Sequence, residues 1–252
     1  MSCTLAGQPG STPPATVFES RNTQNSLIEL FTSEGCSSCP PAEKWLSALK
    51  SNQDIWKKIV PISYHVDYWD RLGWRDRFAK PEFTARQQAY AAAWGGDSVY
   101  TPGFAVNGKE WRGWFGGNGI PTSSTKVGVL RISLGKDRKL NATFVPETMR
   151  PRALRLNVAL LGNDLESDVK RGENSGRKLR HDFVVLNLIQ VDMANESSRW
   201  TGSVALPTQT GSERPSALAA WITENGTPIQ ATGGWLNPVA GGADAGNRTG
   251  IK

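Results

Sequence analysis

Leu27-Ile28-Glu29-Leu30-Phe31-Thr32-Ser33-Glu34-Gly35-Cys36-Ser37-Ser38-Cys39-Pro40-Pro41-Ala42 is the stretch on which the fold turns. The run from Leu27 to Phe31 predicts a buried strand of the kind found in parallel or mixed sheets. It stops at Thr32-Ser33-Glu34-Gly35, and a Cys-x-x-Cys pair follows directly. From Pro41 to Leu49, Ala42, Trp45, Leu46, Ala48 and Leu49 recur at helical spacing, and prolines suit a first helical turn. A strand therefore delivers two cysteines to the mouth of a helix.

Working outward, Ile59 to Val66 predicts a second strand, and a charged, aromatic segment from Asp67 to Lys80 leads to a helix over Pro81–Trp94. Phe104-Ala105-Val106 is a short strand, and Asn107-Gly108 is a two-residue hairpin signal into a strand over Lys109–Phe115. In that last strand Trp111 and Trp114 are expected on opposite faces, since side chains alternate. The order is β-α-β-α-β-β. Beyond Gly116-Gly117-Asn118-Gly119 the pattern changes to short apolar or alternating runs, among them Val127–Leu134, Leu154–Leu161, Asp182–Val191 and Ala217–Thr223. Such runs predict an all-β antiparallel sandwich. The expected organisation is a flexible leader over 1–25, an α/β unit over 26–120, the sandwich over 121–236 and a flexible tail over 237–252.

Composition narrows the function classes. In 252 residues, 38% hydrophobic and 21% charged, a wholly disordered chain is excluded. No apolar run reaches the roughly 18 residues that a spanning helix needs. The net charge of +6 is scattered, and the basic cluster from Lys170 to Lys178 is interrupted by Gly172-Glu173-Asn174-Ser175-Gly176. That pattern predicts solvated surface rather than a nucleic-acid footprint. Three cysteines are too few for a disulfide scaffold of this length. Residues 1–25 lack the basic start and apolar centre of a signal peptide. Cys3, next to Met1-Ser2, is read either as a lipid-bearing cysteine or as a spare thiol.

The cysteine pair carries the chemistry. One thiolate attacks a substrate disulfide and its neighbour resolves the mixed disulfide, with the short loop keeping both sulfurs in reach. A helix start favours the thiolate, so Cys36 is the expected nucleophile and Cys39 the resolver. Glu34 opposes thiolate formation, and Pro40-Pro41 removes early helical donors. Thr101-Pro102, just ahead of a strand, is expected to be cis and to form the substrate platform with Trp69. Asp67, at the end of a strand, is a candidate proton acceptor for the resolving thiol. Its competing role is ion pairing within the Asp67–Arg77 loop. Structural zinc needs four ligands, and Cys3, His65 and His181 are the remaining donors, far apart in sequence. Copper(I) held by Cys36, Cys39 and His65 is the alternative from a different functional class. A third reading makes the disulfide a structural clip. No cofactor and no metal ligand is assigned.

Leu30–Ala42, His65-Val66-Asp67-Tyr68-Trp69-Asp70 with Gly73-Trp74, Phe83–Gln87, Val99–Pro102 and Gly172–Arg177 together resemble an uncharacterised bacterial family of secreted thioredoxin-like proteins. The resemblance covers about residues 27 to 235. It implies a thioredoxin-like fold for the α/β unit and a periplasmic or secreted location. It also implies thiol-disulfide exchange with a disulfide-bearing protein or a small thiol, with the redox partner unknown. It carries over Cys36, Cys39 and Pro102; His65, Asp67 and Arg86 belong to its motifs without a role. One departure is that no final helix follows the hairpin, because 116–125 is rich in Gly, Ser and Thr.

Overall fold

The computed structural model describes residues 16–147, 151–207 and 213–236. In chain order the elements are β1 (Thr16–Glu19), β2 (Ser26–Thr32), α1 (Pro40–Ala48), β3 (Ile59–His65), α2 (Pro81–Ala93), β4 (Gly103–Val106) and β5 (Lys109–Glu110). There follow β6 (Gly128–Leu134), β7 (Lys139–Pro146), β8 (Arg155–Gly162), β9 (Leu165–Asp168), β10 (Lys178–His181) and β11 (Val184–Asp192). The last are β12 (Ala194–Glu196), β13 (Arg199–Ala205), β14 (Ala217–Glu224) and β15 (Thr227–Trp235).

Every residue of β2 and of β3 is buried, as their near-continuous apolar runs require of strands covered on both faces. They pair in parallel, Ser26 opposite Ile59, with β4 antiparallel on the other side of β2. Pro40 and Pro41 open α1, where a missing N–H costs no helical bond. The helix buries Ala42, Glu43 and Leu46. The local order from β2 to β5 is therefore β-α-β-α-β-β.

The expected fold class, an α/β thioredoxin-like unit followed by a separate sandwich, is corrected by the sheet topology. One eight-stranded sheet runs β15-β14-β8-β11-β3-β2-β4-β5. Strands from both halves of the chain build it, joined where β11 lies parallel to β3 with Val184 opposite Ser63. Most of its other pairings are antiparallel, and strands far outnumber the two α-helices. The protein is mostly β-sheet. The physical reason is an edge. A local pattern places β3 in a sheet but cannot say what satisfies its outer row of N–H and C=O groups, and the chain supplies β11 from well over a hundred residues downstream.

A second sheet, β1-β6-β7-β13-β12, packs on one face of the first. Strands β8 and β14 lie between two cores. Leu156, Val158 and Leu160 of β8, with Leu218, Ala220 and Ile222 of β14, pack toward the second sheet against Leu130, Ile132 and Phe144. The alternate residues Ala159, Leu161, Ala217, Ala219 and Trp221 join Leu27, Leu30 and Ile62 on the other side. Period-two alternation thus feeds two apolar cores and leaves no polar face.

Further corrections are local. Residues 16–19 of the supposed leader form β1, paired with β6 from Thr16 opposite Leu134 to Glu19 opposite Arg131. Cys3 and the tail 237–252 lie outside the described residues. The final hairpin strand is only Lys109–Glu110, after which the chain turns. Trp111 and Trp114 consequently do not oppose each other: both rings pack on Phe104, at 5.8 and 5.6 Å between centroids.

The shared sheet makes a clear prediction. Trp221 is fully buried on β14 but belongs to the core of the β2–β4 half. Trp221→Ala is expected to cost about 3–5 kcal/mol and to lower a single calorimetric transition. Two transitions, with one unmoved by the substitution, would contradict the shared core.

Candidate functional site

The turn between β2 and α1 holds a Cys36–Cys39 disulfide with Cα atoms 5.5 Å apart. The Cys36 N–H donates to Ser33 O at 3.1 Å and the Cys39 N–H to Cys36 O at 3.3 Å. Cys39 is the cap residue, and the first two helical positions are prolines. The next two amides, of Ala42 and Glu43, both donate to Cys39 O. The helix start therefore gives the sulfurs little N–H stabilisation, and Ser38 Oγ, 3.3 Å from Cys36 Sγ, is the nearest donor. Both cysteines are buried, while Ser37 and Ser38 are exposed.

Of the sequence-predicted residues, Thr101, Pro102 and Trp69 come to this turn. Cys36 Sγ lies 3.8 Å from Thr101 O, and the Thr101–Pro102 bond is cis. Trp69 Nε1 donates to Thr101 Oγ1 at 2.8 Å, and its Cβ sits where a side chain on Gly35 would have to go. Asp67 is engaged elsewhere: its carboxylate accepts from Thr84 Oγ1 at 2.6 Å, at the start of α2. Arg86 donates to the buried Glu29 carboxylate at 2.6 Å, and Tyr90 caps the other oxygen. Beside Pro102 a pocket of about 270 Å³ is lined by Tyr100, Phe104, Trp111, Trp114 and Phe115 with Arg112.

Behind the turn lies a buried ionic cluster. His65 Nδ1 meets Asp76 Oδ2 at 2.7 Å, and the same oxygen accepts the Glu34 N–H at 2.9 Å. His181 Nδ1 meets Glu43 Oε2 at 2.8 Å, and Thr32 Oγ1 donates to Glu43 Oε1 at 2.6 Å. Trp74 Nε1 donates to Glu34 Oε2 at 2.6 Å. The two imidazoles stand edge to face, 5.0 Å between centroids. Burial disfavours charge on His181, but the Glu43 carboxylate, joined by Glu34, outweighs it and holds the pKa up to about 10. Burial likewise pushes Glu43 and Asp76 up, yet His181 and His65 respectively bring both below the usual carboxylate values.

A family model described as a protein of unknown function, DUF1223, matches residues 27–223. The chain belongs to the DUF1223 family. Its fold is similar to that of a protein of Agrobacterium tumefaciens solved by X-ray crystallography, at 24% identity and a TM-score of 0.58 over 91% of this chain and 98% of that one. It is also similar to HBP35 of Porphyromonas gingivalis, at 16% identity and a TM-score of 0.58 over 90% of this chain and 81% of that one. No curated protein matches.

In this DUF1223 chain the second half completes the site. Asn174, fully buried, donates to Glu34 O and Cys36 O, both at 2.9 Å, and is itself held by Arg177 at 2.7 Å. Glu173 accepts the Ser37 N–H at 2.9 Å and its hydroxyl at 2.7 Å. The 172–177 loop thus straps the disulfide turn. The basic cluster around it reads as surface in sequence. Glu43, Asp76, Glu173, Asn174 and His181 were not singled out as site residues. The signals were faint: Glu43 stands in the buried stripe of α1, and His181 falls in register with buried Leu179 in β10. Asn174→Ala removes both donations and leaves the Glu34 carbonyl unpaired, while Cys36 O keeps the Cys39 N–H. An expected loss of about 1–3 kcal/mol is measurable by urea unfolding.

Proposed function

We propose that this protein is a thiol-disulfide oxidoreductase working outside the cytoplasm, with Cys36 and Cys39 as its redox pair. The observation that carries the reading is the strand-to-helix disulfide with Cys36 Sγ 3.8 Å from Thr101 O, beside an aromatic pocket. In the reducing direction the Cys36 thiolate attacks one sulfur of a substrate disulfide and releases the other as a thiolate. Cys39 then loses its proton and attacks Cys36, closing the pair and releasing the second substrate thiolate. Two electrons pass to the substrate, and both released thiolates take up protons. Oxidation of a substrate dithiol is the same path reversed.

The exposed rim of the pocket, above all Phe115 at 74% exposure, suits an apolar side chain of a protein substrate. Thr101 and Trp69 would position that segment against Cys36. Disulfide use of this kind fits a periplasmic or secreted protein. A copper(I) site on the same cysteines has less support, because His65 gathers with Glu43 and His181 and not with the cysteines.

A redox titration of the pair against glutathione, with Cys36→Ser as control, tests the proposal. Reversible two-electron cycling and turnover of a model disulfide are expected, both abolished in Cys36→Ser. A pair that cannot be cycled, or cycling with background turnover, overturns it. Since both sulfurs are buried, attack requires the strap to move. Glu173→Ala removes both contacts to Ser37 and should speed reduction by a soluble thiol severalfold, read as thiol release over time.

A further inference from the structure

Three polar atoms of the ionic cluster behind the disulfide are buried outside any well-formed hydrogen bond: Glu34 Oε1, His65 Nε2 and His181 Nε2, the first and last in a loose ion pair and His65 Nε2 without a hydrogen-bond partner. Their residues are 0%, 1% and 1% exposed. Leaving such atoms unsatisfied is costly, and three in one place call for an explanation. Glu34 Oε1 and His181 Nε2 stand 3.4 Å apart. One ring nitrogen from each histidine and one oxygen of Glu43 all lie within 4.8 Å of one another. Among the described residues this is the group of His, Cys, Asp and Glu close enough to share an ion, and it leaves out the cysteines.

We infer that this cluster is a binding site for one divalent transition-metal ion of the zinc class. His65 and His181 each supply a ring nitrogen, and Glu43 supplies a carboxylate oxygen. Three observations converge on it. First, His65 Nδ1 is held by the Asp76 carboxylate, which leaves its Nε2 open. That is how metal-binding imidazoles are oriented, with the second nitrogen turned to the ion. Second, nitrogen and carboxylate donors without thiolate suit zinc and its neighbours better than copper(I) or calcium. Third, the charges ask for a cation. Glu34, Glu43 and Asp76 bring three carboxylates into the interior, against two imidazoles that supply at most two positive charges even when both are protonated. One dication balances the site as well as two protons would, and it also engages the open His65 Nε2. The ligands come from α1, β3 and β10, so an ion would join both halves of the chain behind the disulfide.

This inference is independent of the redox proposal, because the ligands exclude the cysteines. It is tested on the full chain with its disulfide intact, stripped by chelator and dialysed against zinc. One zinc per chain is expected, with an X-ray absorption spectrum showing nitrogen and oxygen neighbours, imidazole among them, and no sulfur. His65→Gln and His181→Gln should each abolish stoichiometric uptake, and Asp76→Asn should weaken it about 10- to 100-fold. Glu43→Gln should lose more affinity than Glu34→Gln. No stoichiometric uptake, a shell containing sulfur, or uptake indifferent to both histidine substitutions overturns the site. If a variant fails to fold, the wild-type zinc stoichiometry and absorption spectrum decide alone.

Discussion

A charge taken out of water must bring its counter-charge with it, and that constraint organises this protein. Removing one partner of a buried ion pair costs about 3–5 kcal/mol, because the other is left uncompensated. Three of the four buried carboxylates of the first half show it. Glu29, in the middle of β2, is answered by Arg86 on α2; Asp76 is answered by His65; Glu43 on α1 is answered by His181. The first two partners are local to the first half. The third comes from β10, across 138 residues of sequence. The helix that follows the cysteines therefore cannot dock with its acid neutralised until the distant strand is in place.

The strap repeats that dependence on a smaller scale. Asn174 closes the carbonyls of Glu34 and Cys36, and Glu173 holds the amide and hydroxyl of Ser37. Meanwhile β11 completes the edge of β3, and Trp221 on β14 fills the core over β2 and β3. Ionic pairing, turn capping, strand pairing and apolar packing all draw on the second half of the chain. The candidate site is thus a product of the whole fold.

What could be read from sequence follows how local each determinant is. The strand at Leu27–Phe31, the proline-opened helix and the Asn107-Gly108 hairpin are set by periodicity and turn chemistry within a few residues, and they are present. The fold class failed because the partner of an edge is a long-range choice, and β11 carries no mark that points to β3. The Trp111–Trp114 inference failed differently: it assumed a regular strand, whereas pairing ends at Glu110 and both rings turn to Phe104. At the site, Cys36, Cys39, Trp69, Thr101 and Pro102 were legible because a motif or a breaker residue marks each one. Asp67 was placed by its position at a strand end, but Thr84 claims it. Glu43 and His181 were hidden because a charged residue at a core position looks like any surface residue until its partner is known.

The same local chemistry bears on how the disulfide behaves. A redox pair becomes oxidising when its reduced form is stabilised, chiefly by N–H groups and positive charge around the thiolate. Here Pro40 and Pro41 remove the amides that a helix start would offer, and the next two amides are spent on Cys39 O. Glu34 sits two residues from Cys36 within a cluster of carboxylates, and the Glu173 carboxylate rests on the adjacent Ser37. Ser38 Oγ lies 3.3 Å from Cys36 Sγ, and a hydroxyl is a weak substitute for a helix N-terminus. Under the proposed function, these features disfavour the dithiolate and make the closed disulfide the resting state. A positive charge bound by the cluster behind the turn would shift that balance back toward the thiolate, so the ionic cluster and the cysteine pair would act on each other through the field alone.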